Sequence, residues 1–279
     1  MSFKILSDTS TKLAIFATPP VIMGSSNTGM VFPENLVNGG LAEIYGKKGY
    51  DLLWLKIIGP QYFYESKYSK HYCDNLVNFL TKISSEYDHY VFHGIGHASY
   101  VMPELFWRMK REPSPQLMTI REKINGHVYE TPIDPLNAVS LKRNFASNWL
   151  WPIESTSVFP FADPQQKATD LFSAVNIKAP ALMIKFLNTK GYIKKFRDHP
   201  LDVDFDNLHQ TLKSKGIDVT TCVNGPLNVP FSIDNYVLFL EQINGLNQYL
   251  TDLERQESSK STERSDCSKA DGKQKLKSV

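Results

Sequence analysis

Blocks of apolar residues and blocks of amphipathic residues alternate along most of this chain. Short apolar runs that end at proline or glycine predict buried strands, and apolar residues repeating every three or four positions predict helices. The predicted strands are residues 12–19, 51–58, 116–120, 179–187 and 217–223, with a further strand beginning at 89–92. The predicted helices are residues 34–48, which stop at Gly49, 69–87, 205–215, which end at Gly216, and 233–254.

This alternation predicts an α/β fold with a mainly parallel sheet flanked by helices. Parallel neighbours need a long crossover between them, and a helix is the usual crossover. We therefore expect one domain over residues 1–254. Residues 255–279 are rich in serine, lysine and glutamate and have no apolar anchors, which predicts a disordered tail.

Composition excludes several classes of function. The 279 residues include 31 Lys and Arg against 29 Asp and Glu, a net charge of +2 that predicts no nucleic-acid partner. No apolar run approaches the roughly 20 residues that would span a membrane. Cys73, Cys222 and Cys267 are odd in number and widely spaced, which argues against disulfides or a zinc site. We expect no metal or other cofactor. The reducing compartment that we expect is the cytoplasm, with the mitochondrial matrix as the alternative.

The most informative stretch is residues 90–100, YVFHGIGHASY. An apolar strand enters a glycine-rich turn that leads to a predicted helix, which is the setting of the G-x-S-x-G turn that exposes a catalytic serine above a sheet. Two registers fit this turn. In Gly94-Ile95-Gly96-His97-Ala98 the serine position is Gly96, and two residues further on it is Ala98. Neither residue can act as a nucleophile.

The order of these segments resembles the α/β-hydrolase superfamily from about residue 12 to about residue 250. The strand at 12–20 resembles the one that precedes the oxyanion loop. Gly40-Leu41-Ala42 through Gly49-Tyr50-Asp51-Leu52-Leu53 resembles a helix and strand typical of the superfamily. Residues 75–98 resemble the helix, strand and turn of the nucleophile. Residues 180–184 resemble the strand that presents the acid, and residues 222–226 resemble the turn that carries the histidine.

The resemblance implies a catalytic site whose residues are absent here. A serine hydrolase needs a nucleophile, a histidine base and an acid that orients the base. The acid position reads Asn188-Thr189-Lys190-Gly191, and the histidine position reads Asn224-Gly225-Pro226. The oxyanion loop reads Ala17-Thr18-Pro19-Pro20, whose prolines lack the N–H donors that such a loop supplies. A degenerate hydrolase that has lost its triad is the leading hypothesis.

Other residues offer alternative functional roles, and each of them also has a purely structural interpretation. His93 and His97 could form a metal pair or an acid–base couple, or simply hydrogen-bond the backbone near a tight turn. Ser99 could replace the nucleophile with His97 as its base. Glu122 follows the predicted strand 116–120, where some members of the superfamily keep their acid, but it also suits a surface carboxylate. Cys222 could be a thiol nucleophile or a small buried hydrophobe.

Three functions remain open. The first is a non-catalytic module that binds an unidentified protein partner. The second is an esterase, lipase or thioesterase that uses Ser99 or Cys222. The third is a receptor for an apolar small molecule beneath a lid formed by residues 122–173. The aromatic rings of that segment would either pack the lid onto the sheet or form an exposed binding patch. These aromatic residues are Phe145, Trp149, Trp151, Phe159 and Phe161.

Overall fold

Seven of the nine described strands form one sheet that is parallel except at one edge. The structure is a computed structural model, and it describes residues 2–4, 10–18, 22–23, 30–31, 40–56, 76–83, 85–95, 98–99, 115–130, 132, 178–186, 201–224 and 245–274. The seven strands of this sheet, in spatial order, are β1 (Ser2–Lys4), β5 (Tyr50–Lys56), β2 (Lys12–Thr18), β6 (His89–Ile95), β7 (Ile124–Glu130), β8 (Ala181–Phe186) and β9 (Val219–Asn224). Only β1 is antiparallel to its neighbour. A separate pair joins β3 (Ile22–Met23) and β4 (Met30–Val31).

Helices pack on both faces of this sheet, as predicted. The described helices are α1 (Gly40–Lys47), α2 (Pro115–Glu122), α3 (Leu201–Ser214) and α4 (Gly245–Gln274), and residues 76–83 are also helical. Gly49 and Gly216 follow α1 and α3 with φ of 71° and 70°. Glycine adopts this left-handed conformation without strain, and both predicted helix stops are therefore confirmed.

The prediction of a strand at residues 116–120 is wrong. These residues belong to α2, and the next strand is β7. A short run with few apolar residues does not distinguish a strand from a helix by its pattern alone. Pro115, the first residue of α2, is instead a typical helix start, since the missing N–H is not needed there. The sequence pattern does not indicate β7, because Asn125 and Gly126 are poor strand formers.

The prediction that the lid begins at residue 122 is also wrong. Residues 122–130 lie in α2 and β7, within the main sheet and its connection. The other lid residues and their five aromatic rings lie outside the described residues, apart from the buried Pro132.

The end of the chain differs from the predicted tail. Helix α4 does not stop near Glu254 but continues to Gln274. This segment contains no proline, and lysine, glutamate, arginine and glutamine are good helix formers even without an apolar face. The hydroxyls of Ser258 and Ser259 donate to the carbonyls of Glu254 and Arg255, each at 2.9 Å.

Two apolar clusters cover the two faces of the sheet. On one face, Leu13, Leu53 and Phe92 pack with residues 76–83 and with α3. On the other face, Phe16, Leu52 and Val91 pack with α1 and α4. The central strands are therefore buried on both sides, as expected for a parallel sheet. In the described part of the chain, no helix is long and apolar enough to span a membrane.

Candidate functional site

The glycine turn lies at the carboxyl end of β6, and Gly94 allows the chain to fold back tightly. A Cβ atom at Gly94 would lie 2.5 Å from the Cα of Ser99 and 3.0 Å from the carbonyl oxygen of Ala98. Real Cβ atoms do not approach backbone so closely, so only glycine fits at this position. Gly96 and His97 lie outside the described residues.

Ser99 holds this turn closed. Its hydroxyl donates a hydrogen bond of 2.9 Å to the carbonyl of Gly94, and the residue is 1% exposed. Ala98 beside it is buried as well. Among the described residues, no histidine nitrogen lies within hydrogen-bonding distance of the Ser99 hydroxyl.

His93, one residue before Gly94, connects two other elements of the fold. Its Nδ1 lies 2.8 Å from the hydroxyl of Tyr45 on α1, and its Nε2 lies 2.6 Å from Oε1 of Glu130 at the end of β7. Both side chains of the His93–Glu130 pair are fully buried. The backbone hydrogen bond expected for His93 is replaced by these side-chain contacts, because Tyr45 and Glu130 come from distant parts of the sequence.

The surroundings of His93 are aromatic. Phe16 meets its ring edge-on, with 4.9 Å between the ring centroids. Burial, and then the nearby Glu130 carboxylate, raise the pKa of Tyr45 well above its usual value, so its hydroxyl stays protonated. A neutral phenol can donate to His93 or accept from it.

Tyr45 and Glu130 were missed by sequence reasoning. Tyr45 looks like an ordinary apolar residue of an amphipathic helix. Glu130 would have been found from the right strand boundaries, because it is the carboxylate that ends β7 at the carboxyl edge of the sheet. The sequence places the acid position at residues 188–191, outside the described residues, and offers Glu122 as an alternative. Glu122 lies exposed at the end of α2.

His127 is a second buried histidine, on β7. Its Nδ1 lies 3.0 Å from the Tyr129 hydroxyl and its Nε2 lies 2.9 Å from the carbonyl of Ala179. Because a carbonyl can only accept, Nε2 carries the proton and Nδ1 accepts from Tyr129. Burial lowers the pKa of His127 to about 4, and the Ala179 hydrogen bond only partly opposes this shift. His127 is therefore neutral at pH 7.

Cys222 lies on β9, far along the sheet from β6. Its thiol is free, and burial raises its pKa, which disfavours the reactive thiolate. The residue lines an open cleft of about 590 Å³ between β9 and α4, together with Tyr249, Leu253 and Arg255. Within the described residues, no group of three or more His, Cys, Asp or Glu side chains could hold a metal ion.

No family model matches the sequence, and no curated protein matches it. Solved structures do match. A candidate carboxylesterase from Lactobacillus plantarum WCFS1 is 10% identical, with a TM-score of 0.53 over 89% of this chain and 88% of the other. A Pyrococcus furiosus esterase is 14% identical, with a TM-score of 0.48 over 87% and 83%. A protein of unknown function with the α/β-hydrolase fold is 10% identical, with a TM-score of 0.48 over 92% of each chain. At such identities, a likeness concerns the fold alone.

Proposed function

Since this chain has the α/β-hydrolase fold, we propose that it is a non-catalytic member of that fold that acts as a protein-interaction or assembly module. The single observation that carries this proposal is that the glycine turn presents no free nucleophile among the described residues. The serine nearest to it, Ser99, is buried and donates to the carbonyl of Gly94. A nucleophile must instead present its oxygen to a substrate and to a base.

The close approach of Gly94 to Ser99 supports one register of the turn. A tight strand-to-helix turn needs its flanking residues to be small, and Gly94 cannot carry a Cβ. This favours Gly94-Ile95-Gly96-His97-Ala98, in which the nucleophile position is Gly96 and has no side chain.

The nearest described histidine also fits a non-catalytic role. Both ring nitrogens of His93 are engaged, and its side chain is fully buried. It has no open position from which to take a proton from a substrate or from Ser99. A catalytic base must reach the proton that it removes.

A fluorophosphonate probe tests the absence of hydrolase chemistry. We expect no mass shift of the intact protein under conditions that fully label an active serine esterase, and no turnover of p-nitrophenyl esters above the buffer rate. Ser99→Ala and Cys222→Ala are the matched variants. An adduct or turnover that either variant abolishes would contradict the proposal.

Binding of a partner needs its own measurement, because loss of chemistry alone does not create an interaction. We expect the chain to elute from its native source, under reducing conditions, in a complex larger than the purified chain. Replacing Trp149 and Trp151 by alanine should release it if the aromatic segment 131–173 contributes the binding surface. Elution as a free monomer from the native source would contradict an assembly role.

A hydrolase with unconventional residues is the second candidate. It is favoured by the likeness to the candidate carboxylesterase, whose TM-score is 0.53, and by the partly exposed thiol of Cys222 in the cleft beside α4. The raised pKa of that thiol weighs against it. This candidate predicts that Cys222→Ala removes ester or thioester turnover while Ser99→Ala retains it.

A further inference from the structure

We propose that the outer edge of β9 pairs with β9 of a second copy of this chain, so that the two sheets join across a two-fold axis at Thr221. In the described part of the chain, β9 is paired only with β8 and forms one end of the seven-stranded sheet. The pairing does not rest on the proposed function, because β9 lies three strands from β6, which carries the glycine turn.

The backbone of β9 presents three residues at this edge. The N–H of Ala181, on β8, donates to the carbonyl of Asp218 at 2.8 Å, so the backbone groups of Asp218 face β8. Backbone groups of successive residues face opposite sides of a strand, and those of Val219, Thr221 and Val223 therefore face outward. Each of these three residues offers one N–H and one C=O to a further strand.

The three outward residues match a second copy in one antiparallel register. With the two-fold axis at Thr221, Thr221 pairs with the same residue of the second copy, and Val219 of each copy pairs with Val223 of the other. Each such pair exchanges two hydrogen bonds, so every outward group of the strand is used. A register shifted by two residues would place one of the three opposite a residue outside β9. An interface with two-fold symmetry requires this kind of self-complementarity.

The composition of β9 also favours pairing with itself. The strand reads VTTCVN, with four β-branched residues and neither a charged residue nor a proline. Natural edge strands use charges and prolines to prevent pairing, and a neutral strand brings no like charges together when it meets an identical one. β1, at the other end of the sheet, is only three residues long and offers few hydrogen bonds.

The helices beside the sheet leave room for a second copy. On the α4 side, Thr220 is exposed and Cys222 is partly exposed, and both line the open cleft of about 590 Å³. Thr221 points to the opposite face and is exposed there. A second copy can therefore approach β9 in the plane of the sheet. A two-fold axis perpendicular to the sheet keeps both α4 helices on one face, where the two clefts would meet.

Sedimentation velocity of the purified chain over a concentration series tests the pairing. We expect wild type to reach twice the mass of one chain. Thr221→Lys sets like charges opposite each other across the axis and should raise the dissociation constant of the dimer about a hundredfold. Thr221→Glu should do the same, and an equimolar mixture of the two variants should dimerise again. Thr119→Lys, the same change at an exposed position of α2, should remain dimeric.

Three results of this experiment would overturn the proposal. The first is a monomeric wild type, whose edge would then be open to a strand of another protein. The second is a dimer that persists in Thr221→Lys, since it would use another surface. The third is a mixture of the two charged variants that stays monomeric although each variant is folded.

Thr221→Cys tests the register directly if the charged variants do not fold. Paired residues of this kind have Cα atoms about 5.5 Å apart, within the range that a disulfide can bridge. Treatment with oxidised glutathione should join two copies through residue 221, as identified by mass spectrometry of the linked peptides. Thr119→Cys should give no such bond between copies. Absence of the bond at residue 221 would overturn the proposal.

Discussion

Gly126 shows how one missing side chain allows the last helix to pack on the sheet. A Cβ atom there would lie 2.5 Å from the hydroxyl oxygen of Tyr249 and 2.7 Å from Cδ1 of Leu253, both on α4. The Tyr249 hydroxyl accepts from the His127 N–H at 2.9 Å and donates to the Pro180 carbonyl at 2.6 Å. This phenol therefore joins β7 to the residue that precedes β8.

Gly126→Ala should lower the free energy of unfolding by roughly 1–3 kcal/mol, because the added methyl group overpacks a rigid contact. Urea unfolding measures the change. The penalty should be smaller in a Tyr249→Phe background, where the hydroxyl oxygen that meets the methyl group is gone. Additive effects of the two substitutions would contradict this contact.

His127 should make the protein sensitive to acid. Its pKa is about 4 when folded and about 6.5 in an unfolded chain. A histidine with a lowered folded pKa contributes its full stability above pH 6.5 and loses it as the pH falls towards 4. The loss amounts to about 3 kcal/mol from this residue alone.

The corresponding measurement compares wild type with His127→Gln by urea unfolding at pH 7 and pH 4.5. Glutamine does not titrate, so the variant should lose less free energy between the two conditions. His209→Gln, at a partly exposed position on α3, is the control and should behave like wild type. An equal acid loss in wild type and His127→Gln would show that burial of His127 has no such effect.

At the scale of elements, α4 is attached to the amino edge of the sheet through two glutamates. Glu254 lies 3.4 Å from Nζ of Lys12 and 3.7 Å from Nζ of Lys48. Glu257 lies 3.2 Å from Nδ1 of His89 and also accepts from the amide of Asn125. The helix is thus anchored beyond Glu254, the residue at which the sequence predicts the domain to end.

Two truncated chains test whether the contacts of Glu257 stabilise the protein. Ending the chain after Glu254 removes the contacts of Glu257 and should lower the melting temperature by roughly 2–4 °C, equivalent to about 1 kcal/mol for partly exposed pairs. Ending it after Ser259 retains them and should leave the melting temperature within about 1 °C of wild type. Equal melting temperatures for the two truncations would contradict the anchoring role of Glu257.

At the scale of the whole molecule, the mainly parallel sheet followed from the sequence because the signals of most of its strands are local. The runs at residues 12–19 and 179–187 are apolar and end at turns, so they indicated buried strands without any knowledge of their neighbours. α2 and β7 could not be recognised in this way. The Asn125 and Gly126 positions of β7 depend on Glu257 and Tyr249 of α4, more than 120 residues away in the chain.

In the candidate site, too, some features could be predicted from the sequence and others depend on tertiary contacts. The lack of a nucleophile at Gly96 can be read from the sequence, because a glycine has no side chain in any fold. The contact between Ser99 and Gly94 was not predictable, because it depends on the path of the turn. The pairing of His93 with Glu130 was not predictable either, because it depends on the alignment of β6 with β7.

The sequence by itself determined the alternation of strands and helices over most of the chain, the class of fold and the inert residues at the turn. Each of these depends on the identity of a residue or on the periodicity of a short segment. Only the tertiary structure decided that Tyr45, His93 and Glu130 meet and that α4 is anchored through Glu257. Such contacts join residues that are remote in the chain, and their partners are chosen by strand register and helix packing rather than by any local pattern.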